Sequence, residues 1–120
     1  MRILVVDDER AVLALVRRSL ELDQHLVQTA TNAAEALSSL AAGDFDLALV
    51  DLSLPEPMRG DELIREITRR KPDLPMVLMT GTTISQALPG TALVLFKPFT
   101  LDSLRETIAI FHTQSRPHPE

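Results

Sequence analysis

Asp7, Asp8, Asp51, Thr80 and Lys97 carry groups able to act together, and each stands at the end of a short apolar run. Asp7 and Asp8 come after Ile3 to Val6, Asp51 after Leu47 to Val50, Thr80 after Met76 to Met79, and Lys97 after Leu93 to Phe96. Carboxylates gathered at one place repel one another unless a cation or protons neutralise them. The set offers oxygen ligands and the chain has no cysteine, which favours a hard ion. Magnesium suits it, because it takes few carboxylates, retains waters and shares phosphate oxygens. A carboxylate can also be the nucleophile that takes up a phosphoryl group, giving an aspartyl phosphate. The cation would then offset charge on the transferring oxygens. An ammonium group and a hydroxyl would complete the coordination of that group.

Taken singly, each signal is weak. An Asp-Asp pair at a strand-to-helix junction is more often a helix cap than a metal site. Thr80 before Gly81 reads equally as a turn residue, and Lys97 as a surface charge. Yet the chain has two lysines, Lys71 and Lys97, and the second falls at a strand end immediately before a proline. The weight lies in the coincidence of all these groups at the same end of successive expected strands.

The elements that must position them alternate along the chain. Ile3 to Val6 is a continuous apolar run, as expected of a strand buried on both faces. Asp8 and Glu9 begin a helix with Val12, Leu13, Leu15, Val16 and Leu20 in one stripe. Leu26 to Ala30 is a weaker strand, interrupted by Gln28 and Thr29. Asn32 with Glu35 approximates a capping box for a helix over Ala33 to Ala42, which Gly43 ends. Leu47 to Val50 is a second buried strand. Gly60 leads into a helix with Leu63, Ile64 and Ile67 inward, closed before Pro72. Met76 to Thr80 and Leu93 to Phe96 are further strands. Thr100 caps a last helix with Leu101, Leu104, Ile108 and Phe111 on one face. Such alternation implies right-handed βαβ units and a parallel sheet covered on both faces. In open sheets of that kind, ligands bind beyond the carboxyl ends of the strands at a topological switch point. The five chemical residues share that rim.

Composition removes several alternatives. A chain of 120 residues, 45% hydrophobic and 24% charged, suits one globular domain. A net charge of −5 and a pI near 5.1 argue against a nucleic-acid backbone binder. Aromatics are 3% and all Phe, so a stacking platform for single strands is not expected. Arg17-Arg18 and Arg69-Arg70-Lys71 read as solubilising helix faces. There is no apolar run of membrane-spanning length and no signal or lipidation motif, so no membrane partner and a cytoplasmic location are expected. The domain is expected over 1–111, with 112–120 as a polar tail or linker stub.

The segments Ile3-Leu4-Val5-Val6-Asp7-Asp8-Glu9, Leu47 to Pro55, Met76 to Gly81 and Phe96-Lys97-Pro98-Phe99 resemble the receiver domains of two-component response regulators. The family is itself among the examples behind the switch-point rule. The resemblance implies a flavodoxin-like α/β/α sandwich with strand order 2-1-3-4-5. It implies that Asp51 is the phosphoacceptor, served by the phosphohistidine of a sensor histidine kinase or phosphotransfer protein. By the same resemblance, Asp8 would bind Mg2+ directly and Asp7 largely through a water, with the Ser53 backbone carbonyl as another ligand. Thr80 and Lys97 would contact the phosphoryl group, and the Lys97-Pro98 bond would be cis, aiming the lysine inward. The partners implied are the kinase and an unknown downstream protein, with no enzymatic activity beyond the chain's own phosphoryl transfer and autodephosphorylation.

The sequence departs from that pattern in three places. The loop after Asp51, with Glu56-Pro57-Met58-Arg59-Gly60, is one residue longer than usual. Sixteen residues separate Thr80 from Lys97, several fewer than is usual, which predicts a shortened or irregular fourth helix and a turn or loop over Ser85 to Gly90. The usual switch aromatic is Val94 here, with Phe96 the nearest aromatic. These departures make Gly81 to Gly90 the expected mobile element. Alternative readings are a module cut from a hybrid histidine kinase or transcription regulator, a degenerate receiver, and an aspartyl-nucleophile phosphatase. The last wants a second acid where this chain has Ser53.

Overall fold

The computed structural model describes residues 1–81 and 90–115. Among these residues lie five strands and four helices: β1 Arg2–Val6, α1 Arg10–Leu22, β2 Leu26–Ala30, α2 Ala33–Ala42, β3 Leu47–Asp51, α3 Gly60–Arg70, β4 Met76–Thr80, β5 Thr91–Phe96 and α4 Leu101–Ser115. The strands form one parallel sheet in the order β2-β1-β3-β4-β5. This is the flavodoxin-like sandwich expected.

The continuous apolar runs have their reason in the two faces of the sheet. Alternate side chains of a strand point to opposite faces. Leu4 and Val6 of β1, Ala48 and Val50 of β3, and Met76 and Leu78 of β4 meet Ala36 and Leu40 of α2 and Leu63, Ile64 and Ile67 of α3. Ile3, Val5, Leu47, Leu49, Val77 and Met79 face the other way, onto Leu13, Val16 and Leu20 of α1 and Leu104, Ile108 and Phe111 of α4. Both faces are therefore dry, and no polar position is left in the middle of the three central strands.

Helix ends follow their local chemistry. Asn32 Oδ1 accepts from the Glu35 N–H at 2.9 Å, while Glu35 Oε1 reaches back to the N–H and hydroxyl of Thr31. The box is thus displaced by one residue on its return arm. Thr100 Oγ1 accepts from the Ser103 N–H at 3.0 Å and caps α4. Gly43 ends α2 in extended backbone rather than in a left-handed turn.

Some expectations shift. α1 begins at Arg10, with Glu9 outside it. Leu15 and Leu101 are exposed at the helix flanks, although the apolar stripes were expected to include them. α4 continues to Ser115, past His112, where the tail was expected to begin. The irregular fourth helix falls on residues 82–89, as do the Ser85 to Gly90 loop and the Gly81 to Gly90 mobile element apart from their end glycines; 82–89 and 116–120 lie outside the described residues.

Candidate functional site

The sheet order places a crevice where β1 has β2 on one side and β3 on the other. Asp7 follows the last residue of β1 and Asp51 is the last of β3. Both are buried, whereas Asp8 is exposed. One carboxylate oxygen from each of Asp7, Asp8 and Asp51 can be chosen so that all three lie within 4.8 Å of one another. The pair does not cap α1: Glu9 holds the N-cap position, with no side-chain cap hydrogen bond. Asp7 Oδ1 instead accepts from the Glu9 N–H, ahead of the helix, at 2.9 Å. Its other oxygen, Oδ2, accepts from Lys97 Nζ at 2.7 Å.

Lys97 reaches the same crevice from the end of β5. Its Nζ lies 3.4 Å from Asp51 Oδ2 and 3.2 Å from Glu9 Oε1. The Lys97-Pro98 peptide is cis, and the Lys97 N–H donates to the Thr80 carbonyl at 2.7 Å. Thr80 is buried at the end of β4. The Ser53 N–H donates to Asp51 Oδ1 at 3.1 Å. Ser53 itself is exposed in the loop beyond β3.

Gly60 sets the height of that loop. A Cβ on it would stand 2.2 Å from the Asp51 carbonyl oxygen and 2.6 Å from Leu52 Cα. The first turn of α3 therefore presses on the backbone that bears Asp51. The Gly60 N–H donates to the Leu52 carbonyl at 3.1 Å, which fixes the closure. Glu62 Oε1 accepts from the Arg59 N–H at 2.9 Å. The Arg59 side chain has no acceptor to return, so this is half a capping box. The longer loop is absorbed between these fixed points, with a cis Glu56-Pro57 bond.

Burial pushes the Asp51 carboxyl up to about 6, and the charge of Asp7 adds to the rise, against the Ser53 N–H and Lys97. Burial alone would lower Lys97. The hydrogen bond to Asp7 and the charges of Asp51 and Asp7 reverse that and hold the ammonium form. The site therefore gathers more negative charge than one lysine balances. Three carboxylates with oxygen donors alone fit a hard divalent cation.

The structure brings Asp7, Asp8, Asp51 and Lys97 together, with Thr80 at the neighbouring strand end. Sequence reasoning missed Glu9, taken as a helix start. Its signal was the third consecutive acid after β1, but its reach to Lys97 spans 88 positions of sequence. Val94 packs against the α2/α3 core, while Phe96, paired in register with Thr80, is 52% exposed.

The family model described as "Response regulator receiver domain" matches residues 3–109. The response regulator MprA of Mycobacterium avium is 32% identical over an alignment of 125 residues, covering 100% of this chain and 54% of that protein. The chain thus spans about half the length of the curated relatives it matches. A CheY-like receiver domain protein from Methanospirillum hungatei superposes with a TM-score of 0.87 at 31% identity, covering 94% of each chain. The response regulator TrrA from Thermotoga maritima, in complex with Mg(2+)-BeF, gives 0.84 at 31% identity, over 92% of this chain and 97% of that one. On a match of this extent, over the sheet and the acidic crevice alike, the chain belongs to the receiver domains of two-component response regulators.

Proposed function

We propose that this receiver accepts a phosphoryl group on Asp51, in the presence of Mg2+, from the phosphohistidine of a sensor histidine kinase or phosphotransfer protein. The observation that carries the reading is the placing of Asp51. Its buried carboxylate stands at a strand end among the Asp7 and Asp8 oxygens, with Lys97 Nζ at 3.4 Å. Asp7, Asp8 and Asp51 are the side chains that would hold the cation, together with the Ser53 carbonyl. When bound, Mg2+ supplies positive charge to the oxygens of the transferring group.

A carboxylate oxygen of Asp51 forms the new O–P bond as the N–P bond of the donor breaks, and the imidazole leaves with the electron pair. The Ser53 N–H holds Asp51 Oδ1 and so fixes the plane of the nucleophile. Lys97 turns from carboxylate to phosphoryl oxygens as charge arrives there, and the Thr80 hydroxyl is the second contact. The chemistry is performed on the chain itself, and its product is a changed surface read by a downstream protein. We assign the receiver to the cytoplasm and to residues 1–115, since α4 runs to Ser115, with the polar stretch after it as a tail or linker stub.

Incubation with Mg2+ and acetyl phosphate should add the mass of one phosphoryl group, and Asp51→Asn should abolish the gain. Modification persisting at full level in Asp51→Asn would overturn the assignment.

A further inference from the structure

Lys97 has three carboxylate acceptors, and they are not alike. Asp7 and Asp51 are buried, with side chains 0% and 4% exposed, and both belong to the cluster with Asp8. Glu9 stands outside that cluster, 63% exposed, and its Oε1 lies 3.2 Å from Nζ. Its backbone is anchored to the crevice, since the Glu9 N–H donates to Asp7 Oδ1. Its side chain makes no capping hydrogen bond to α1. It is directed to the lysine instead. Glu9 and Lys97 also line one open groove with Val12, Leu15, Pro98 and Phe99, so the pair borders solvent beside the site.

We propose that Glu9 is a positioning residue for Lys97, holding the ammonium group at the mouth of the site and competing with an incoming phosphoryl group for it. This rests on the functional reading above and deepens it. Lys97 must leave its carboxylates to meet the phosphoryl oxygens. Asp7 and Asp51 become less attractive to it as positive charge gathers on their cluster. Glu9, outside the cluster, keeps its full pull. It therefore sets how readily the lysine moves, and slows acceptance.

The chain has two lysines, so the side-chain spectrum of the labelled protein contains Lys97 and, as an internal reference, Lys71, which faces Asp44. In Glu9→Gln the Lys97 Nζ and Cε resonances should move while those of Lys71 stay. Phosphorylation by acetyl phosphate with Mg2+ should speed up by about two- to fivefold, the size an exposed ion pair supports. Glu9→Asp keeps the charge but loses the reach of one methylene, and should behave as Glu9→Gln does. In a Lys97→Ala background the Glu9 substitution should have no effect on the residual rate. Unmoved Lys97 resonances would overturn the proposal. So would acceleration in Glu9→Gln alone, or acceleration that survives without Lys97, since Glu9 would then act through its charge on the donor. A wild-type chain that takes up no phosphoryl group would sink the functional reading instead, and the Lys97 resonances would still decide whether Glu9 holds the lysine.

Discussion

At the scale of the residue, Asp51 is held at a cost to the fold that can be measured. A carboxyl in an unfolded chain loses its proton near pH 3.9, whereas burial and the neighbouring Asp7 keep that of Asp51 to about 6. Between those two values the folded protein binds the extra proton. Stability therefore falls as pH rises from about 4 to about 6, and the loss is complete above that window. Asp51→Asn removes the charge and keeps the shape. In a chelator it should stabilise the protein at pH 7 by on the order of 2 kcal/mol, and by close to nothing at pH 4. Urea unfolding of both proteins from pH 4 to 8 reads the difference directly. A gap that stays constant with pH would mean that the buried charge is not its source.

At the scale of the element, the first turn of α3 fixes where Asp51 stands. A methyl group at Gly60 meets backbone of Asp51 and Leu52 at under 3 Å, and backbone cannot rotate away as a side chain can. Gly60→Ala should therefore lower stability by about 1–3 kcal/mol and slow acceptance on Asp51. Among the described residues, Gly81 has nothing within 4 Å of the same added atom, so Gly81→Ala should stay within about 0.5 kcal/mol in urea. Equal losses in the two variants would show that the contact at Gly60 relaxes freely. The same scale explains what could be read from sequence. The central strands were legible because burial on both faces leaves an uninterrupted apolar run, and strand ends then located Asp7, Asp51, Thr80 and Lys97. Leu15 and Leu101 misled because a helical stripe gives a face and not its edges. Glu9 was illegible as a partner of Lys97, since nothing in a local pattern encodes a contact made through the sheet order.

At the scale of the whole molecule, the acidic crevice exists only when the sheet is assembled. Lys97 contacts Asp7 across 90 positions of sequence and Asp51 across 46. An unfolded chain cannot present the Asp7, Asp8 and Asp51 oxygens within 4.8 Å of one another, so a cation selecting that geometry binds the folded state alone. Binding then becomes folding stability by mass action. At ten times its dissociation constant, Mg2+ should stabilise by about 1.4 kcal/mol, or roughly 5 °C in the thermal midpoint of a domain this small. Asp8 is the clean place to test this, because its side chain is exposed and contributes little to the buried frame. Asp8→Asn should melt in chelator close to the wild-type midpoint and lose most of the Mg2+ increment, while calcium-free NaCl at equal ionic strength should reproduce neither shift. An Asp8→Asn protein that gains as much from Mg2+ as the wild type would place the stabilising cation somewhere other than this crevice.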